Sequence, residues 1–111
     1  MPSRRGRDAK RVVLTPVAAI DLDEAFGYID ARNRAAAREL LASLRAAFAR
    51  LAEFPGVGVA LSAEEFPALE PGIHYIVVES YVAFYRETAD SVVVLRVLHA
   101  RRDFLAEFLG S

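Results

Sequence analysis

The sequence predicts an α+β fold in the order β-α-α-β-β-β, with an antiparallel helix hairpin packed on an antiparallel sheet and a short C-terminal helix. Three observations lead there. Residues 16–54 carry apolar side chains at helical spacing, interrupted once at Arg32-Asn33. From Ile73 the period changes to two and holds through three runs separated by tight turns. A β-branched run, Val12-Val13-Leu14, precedes the helices. The chain has 111 residues and no cysteine, so a single domain over 11–111 is expected behind a basic flexible tail at 1–10, with one core and no disulfides.

Each element has a local reason. Val12-Val13-Leu14 ends at Thr15-Pro16, where Thr15 suits a helix cap and Pro16 the first helical position, whose N–H needs no partner. Ala18, Leu22, Ala25 and Ile29 then form one apolar stripe, with Phe26 beside them and Asp21, Asp23, Glu24 and Asp30 on the other side. The early acids also suit the helix dipole. Asn33 is positioned to cap a second helix, whose stripe is Ala37, Leu40, Leu41, Leu44, Phe48 and Leu51 and which stops at Pro55-Gly56. So short a link forces an antiparallel hairpin. Residues 56–72 read as a loop with one extended piece. Ile73–Glu79, Tyr81–Glu87 and Ser91–His99 read as strands, the last rich enough in valine to sit centrally. Arg101 to Phe108 reads as a short amphipathic helix.

Composition excludes several functions. No apolar stretch approaches the ~20 residues of a membrane span, and no apolar run follows the basic N-terminus as a secretory signal would. A cytoplasmic location is expected, consistent with the lack of cysteine. Arg4, Arg5, Arg7, Lys10 and Arg11 crowd the first eleven residues; the remaining hundred hold nine arginines against fourteen acids. Such a body repels phosphate chains, which disfavours direct nucleic-acid binding. Lys10 is the only lysine, so the body has no lysine base. His74 and His99 lie on separate strands with no second ligand at metal spacing, so neither a metal nor a cofactor is expected. No phosphate loop and no nucleophile elbow occur.

The remaining chemistry gathers near one end of the sheet: Arg86, Arg96, Arg101 and Arg102, with His99 and Asp103. Arg96 interrupts an apolar strand, and a charge there must be paired or reach an edge. It reads either as an internal ion pair, with Glu87 or Asp103, or as one of several donors for carboxylate or phosphate groups.

Several motifs, in order along 11–104, resemble the ParE-type toxins of the RelE/ParE toxin–antitoxin superfamily. They are Val13-Leu14-Thr15-Pro16-Val17-Ala18, Asp21-Leu22, Leu51-Ala52-Glu53-Phe54-Pro55-Gly56-Val57-Gly58, Tyr81-Val82-Ala83-Phe84-Tyr85-Arg86, and Val94 through Asp103 with its Leu-Arg-Val-Leu-His core. The ribosome-dependent mRNA endoribonucleases of the RelE branch carry an arginine after the first aromatic of the third strand, further lysines and a C-terminal tyrosine. Here Val82 takes the place of that arginine, no lysine follows Lys10 and no tyrosine follows Tyr85. Without those groups a nuclease would lose most of its transition-state stabilisation.

The resemblance therefore implies the other branch: a type II toxin that inhibits DNA gyrase by protein–protein contact, with no catalytic residues. Its partner would be a ParD-like antitoxin with a ribbon-helix-helix DNA-binding domain and a disordered C-terminal segment, so that DNA is reached only through the antitoxin. A ribosome-dependent endoribonuclease and a degenerate toxin serving only autoregulation are the alternatives. The antitoxin would fold into a groove between hairpin and sheet. Candidate contacts there are Phe26, Tyr28, Phe48, Phe54, Tyr75, Phe84 and Tyr85, ringed by Arg86, Arg96 and Arg101, with His99, Arg102 and Asp103 nearby.

Overall fold

The computed structural model describes residues 9–62, 64 and 70–101. Strand β1 (Arg11–Leu14) leads into helix α1 (Pro16–Arg32) and helix α2 (Arg34–Glu53). A 3-10 turn (Pro55–Val57) and a two-residue strand β2 (Val59–Ala60) follow, then β3 (Ile73–Val78), β4 (Tyr81–Glu87) and β5 (Ser91–His99). The expected C-terminal helix, like Arg102 and Asp103, lies outside the described residues beyond Arg101. No helix among the described residues is long and apolar enough to cross a membrane.

Both caps form as the sequence predicts. Thr15 Oγ1 accepts from the Ala18 N–H at 3.0 Å, and Asn33 Oδ1 accepts from the Ala36 N–H at 3.0 Å. The acids of α1 stand past its first turn, so they do not serve the dipole as expected. One of them has a different task, described below.

The five strands form one sheet in the order β1-β5-β4-β3-β2. The expectation of an antiparallel sheet is corrected on one edge. β1 pairs with β5 in parallel, Val12 opposite Val92 and Leu14 opposite Val94, which makes the sheet mixed. The reason is connectivity: β1 runs directly into a helix, so it has no hairpin partner and must pair with a strand reached through a long crossover. The loop's extended piece is β2, antiparallel to β3. β5 takes the inner position its valines implied, between β1 and β4.

Between Phe84 and Tyr85 the β4–β5 register shifts: Phe84 faces Arg96 while Tyr85 faces Val94. Leu95 is thus an extra residue, a bulge that bends β5 where β1 ends.

The main core lies between sheet and hairpin. Ala18 and Ala25 of α1 and Leu40, Leu44 and Leu51 of α2 pack on Tyr81, Ala83, Tyr85, Val92, Val94 and Val97. Alanines on α1 let that helix approach the sheet closely, while α2 reaches down with leucines. A second buried group, Ile73, Val82, Phe84 and Leu98, lies on the opposite face. Strand alternation explains the split, since odd and even residues of β4 face opposite ways.

Candidate partner-binding surface

The arginines that the sequence groups together have separate tasks in the structure. Arg96 is the internal strut. Its Nε donates to Asp21 Oδ2 at 2.8 Å and its Nη2 to Asp21 Oδ1 at 3.1 Å. The Val97 N–H donates to the same Oδ2 at 3.0 Å. Of the two acids considered from sequence, Glu87 is not that carboxylate, and Asp103 lies outside the described residues. Glu87 instead pairs with Lys10 at 2.7 Å. Arg86 forms a surface pair with Glu70 at 2.9 Å, and the side chain of Arg101 is exposed.

His99 is built into the sheet. Its ring meets the facing Tyr81 edge-on, with centroids 5.3 Å apart. Its Nδ1 accepts from the Arg101 N–H at 3.2 Å, which leaves the proton of the neutral ring on Nε2. His74 stacks on Tyr85 at 5.6 Å. No group of three or more metal-ligating side chains occurs among the described residues.

The aromatic candidates divide just as clearly. Tyr85 is fully buried, a core residue rather than a contact. Its hydroxyl donates to Pro55 O at 2.6 Å and accepts from the Gly58 N–H at 2.9 Å, pinning the turn after α2 to the sheet. Burial pushes its pKa up, and the charge of Glu87 adds to this; the hydrogen bond from Gly58 acts in the opposite direction. Tyr75 and Phe84 pair at 6.2 Å on the sheet face away from the helices. Phe54 is exposed after α2. Tyr28 is exposed on α1 under the Arg32 guanidinium, 3.7 Å from the ring centroid.

Phe26 and Phe48 come together. They line a groove of about 370 Å³ with Leu14, Leu22, Leu41 and Leu44. It lies between the two helices and the end of β1. None of Arg86, Arg96 and Arg101 lines it, because their strands direct them to Glu70, to Asp21 and past the end of β5. The charged residues at the groove are Asp23 from α1 and Arg45 from α2. Sequence reading missed both, and missed that Leu14 and Leu41 remain 37% exposed. A signal existed for Leu41. Beside Leu40 it broadens the apolar stripe of α2 beyond what one sheet contact can cover.

The similarities to known proteins fit this architecture. The chain superposes on a structure of the chromosomal ParDE toxin–antitoxin system of P. aeruginosa with a TM-score of 0.66 and 18% identity, over 85% of this chain and 99% of that one. It also resembles a chain of the RelBE2 toxin–antitoxin complex of Mycobacterium tuberculosis, with a TM-score of 0.57 and 28% identity, over 82% of this chain and 91% of that one. A search of curated proteins gives no significant match. The family of the ParE toxin of the type II toxin–antitoxin system parDE matches residues 12–104. With its motifs in order, its mixed sheet under a helix hairpin and a family match over nearly all of the described residues, this chain belongs to the ParE toxin family of the RelE/ParE superfamily.

Proposed function

We propose that this ParE-family toxin acts by protein–protein inhibition of DNA gyrase, without chemistry of its own, and is neutralised by a ParD-like antitoxin. The observation that carries the reading is Val82. It is only 7% exposed and belongs to the apolar group of Ile73, Phe84 and Leu98. The ribonuclease branch needs a cation at this place, and a guanidinium buried among these side chains would be unpaired and costly. Arg96, the next candidate donor for a scissile phosphate, is already held by Asp21. The P. aeruginosa likeness, a ParDE system, supports the antitoxin partner.

The test expresses the chain alone and follows gyrase supercoiling and translation in parallel. Inhibited supercoiling with intact translation is the expected result, reversed by a ParD-like protein. Ribosome-dependent mRNA cleavage that disappears in Arg101→Ala would overturn it.

A further inference from the structure

The outer side of β1 is an open sheet edge. Pairing with β5 fixes which way each of its peptide groups points. The Arg11 N–H donates to Asp90 O at 3.3 Å and the Thr15 N–H to Val94 O at 3.0 Å. Peptide groups alternate in direction along a strand, so Arg11, Val13 and Thr15 serve β5, while Val12 and Leu14 face away from it. At Lys10 the outer side is closed, because its N–H goes to Ala52 O at the end of α2. At Pro16 helix α1 begins. The free window is therefore Val12–Leu14, and no described residue pairs with its outward N–H and C=O groups. The window carries no charge, no proline and no bulge, the devices by which exposed edges ordinarily avoid pairing. Val13 and Leu14 both remain exposed.

We propose that this edge is an interface with a second copy of this chain, the two β1 strands pairing antiparallel about a twofold axis at Val13. The window is short, uncharged and complementary to itself, and a twofold sets window against window. Val12 then faces the partner's Leu14, and Leu14 the partner's Val12. Each pair exchanges both backbone hydrogen bonds, so every outward group of the window is satisfied. Val13 faces the partner's Val13 at the close spacing of a pair without backbone bonds, about 4.5 Å between Cα atoms. Its side chain lies on the sheet face opposite the one through which Val12 packs on the core. There the two valines cover each other's exposed methyl groups. Arg11, the one charged residue of β1, falls opposite the partner's Thr15 and not against its own kind. The two five-stranded sheets join as one. So small a contact makes a weak, concentration-dependent dimer, not a permanent one. The inference goes beyond the functional reading above and does not depend on it.

Analytical ultracentrifugation of the full chain over a concentration series reads the association, and thermal melts confirm that each variant folds. The wild type is expected to pass from monomer towards dimer by about 200 µM. Val13→Lys and Val13→Glu place like charges face to face at the axis. Each should weaken association roughly tenfold or more, and an equimolar mixture of the two should associate again. Because the chain has no cysteine, Val13→Cys should form an intermolecular disulfide under mild oxidation. Ile20→Cys, exposed on α1 instead of β1, should form far less. A wild type that stays monomeric at about 200 µM overturns the proposal. So does a dimer that both charged variants leave intact, since self-association would then lie elsewhere. A monomer whose Val12 and Leu14 amides gain protection from hydrogen exchange only when an antitoxin is added also overturns it, by giving the edge to that partner.

Discussion

Asp21 on α1 does for β5 what a longer β1 would have done. β1 stops opposite Val94. Beyond it, Thr15 Oγ1 donates to the Leu95 carbonyl at 3.0 Å, and Asp21 accepts the Val97 N–H while holding the Arg96 guanidinium through two oxygens. Side chains from the start of α1 thus complete a strand edge that backbone pairing leaves open. The same contacts lock the hairpin to the sheet.

Breaking this lock should destabilise the fold. The two side chains are 9% and 32% exposed, between a fully buried pair and a surface one. A loss of about 2 kcal/mol is therefore expected for Arg96→Ala, between the buried and surface limits. Asp21→Ala should cost more, because the Val97 N–H is orphaned as well. Urea unfolding measures both. Losses under about 0.5 kcal/mol, the scatter of ordinary surface substitutions, would show that the pair does not form in solution.

Tyr85 should make stability fall at high pH. Its pKa is raised in the folded state, so the folded protein holds the phenolic proton more tightly than the unfolded chain. The resulting stability is full below the ordinary tyrosine value of about 10 and is lost as pH rises through the higher folded value. Tyr85→Phe should remove that component of the decline and also cost about 1–3 kcal/mol at neutral pH by leaving the Gly58 N–H and Pro55 carbonyl unpaired. Melting curves from pH 8 to 11 for both proteins check the prediction; parallel declines would refute it.

Gly58 should tolerate no side chain. A Cβ there would stand 2.4 Å from the Tyr85 hydroxyl oxygen and 2.7 Å from the Tyr75 carbonyl oxygen. Gly56, two residues earlier, has open space at the same position. Gly58→Ala should therefore lower the melting temperature by several degrees, equivalent to about 1–3 kcal/mol. Gly56→Ala should leave it within about 0.5 kcal/mol of wild type. Equal melts for the two variants would contradict the close packing.

The boundary of the basic leader can be tested one residue at a time. Lys10, which the sequence assigns to the tail, is anchored to the body. Its N–H donates to Ala52 O at 2.8 Å, and its Nζ reaches Thr88 O at 2.6 Å and Glu87 at 2.7 Å. Removing residues 1–9 should leave the melting temperature within a few degrees, whereas Lys10→Ala in the full chain should cost about 1 kcal/mol. A larger loss from the truncation than from the substitution would reverse this assignment.

Much of the architecture is legible residue by residue. Thr15 and Asn33 cap the helices they precede, and Tyr81–Glu87 and Ser91–His99 form strands over the residues their alternation marks. Phe26 and Phe48 are two of seven aromatics that the sequence reading assigns to one groove, and the structure brings these two together, but at a different place. The sequence places that groove beside the strand arginines, while the structure puts the pair beside β1 with Arg45 and Asp23. Phe84 and Tyr85 show why exposure was the weaker reading: consecutive residues of a central strand face opposite layers, and both layers here are buried.

What the sequence by itself determined are features decided within a few residues: caps, helical and strand periods, turns, and the motifs that carry the family. These depend on backbone preferences and side-chain spacing, which a chain carries wherever it goes. Only the tertiary structure decided that β1 pairs with β5 in parallel, that Arg96 belongs to an acid 75 residues earlier, and that Asp23 and Arg45 stand at one groove. Each of these depends on how separate elements pack. Many acids could satisfy an arginine equally well by charge alone. Which one does is settled by the one arrangement that buries the apolar faces of α1, α2 and the sheet together.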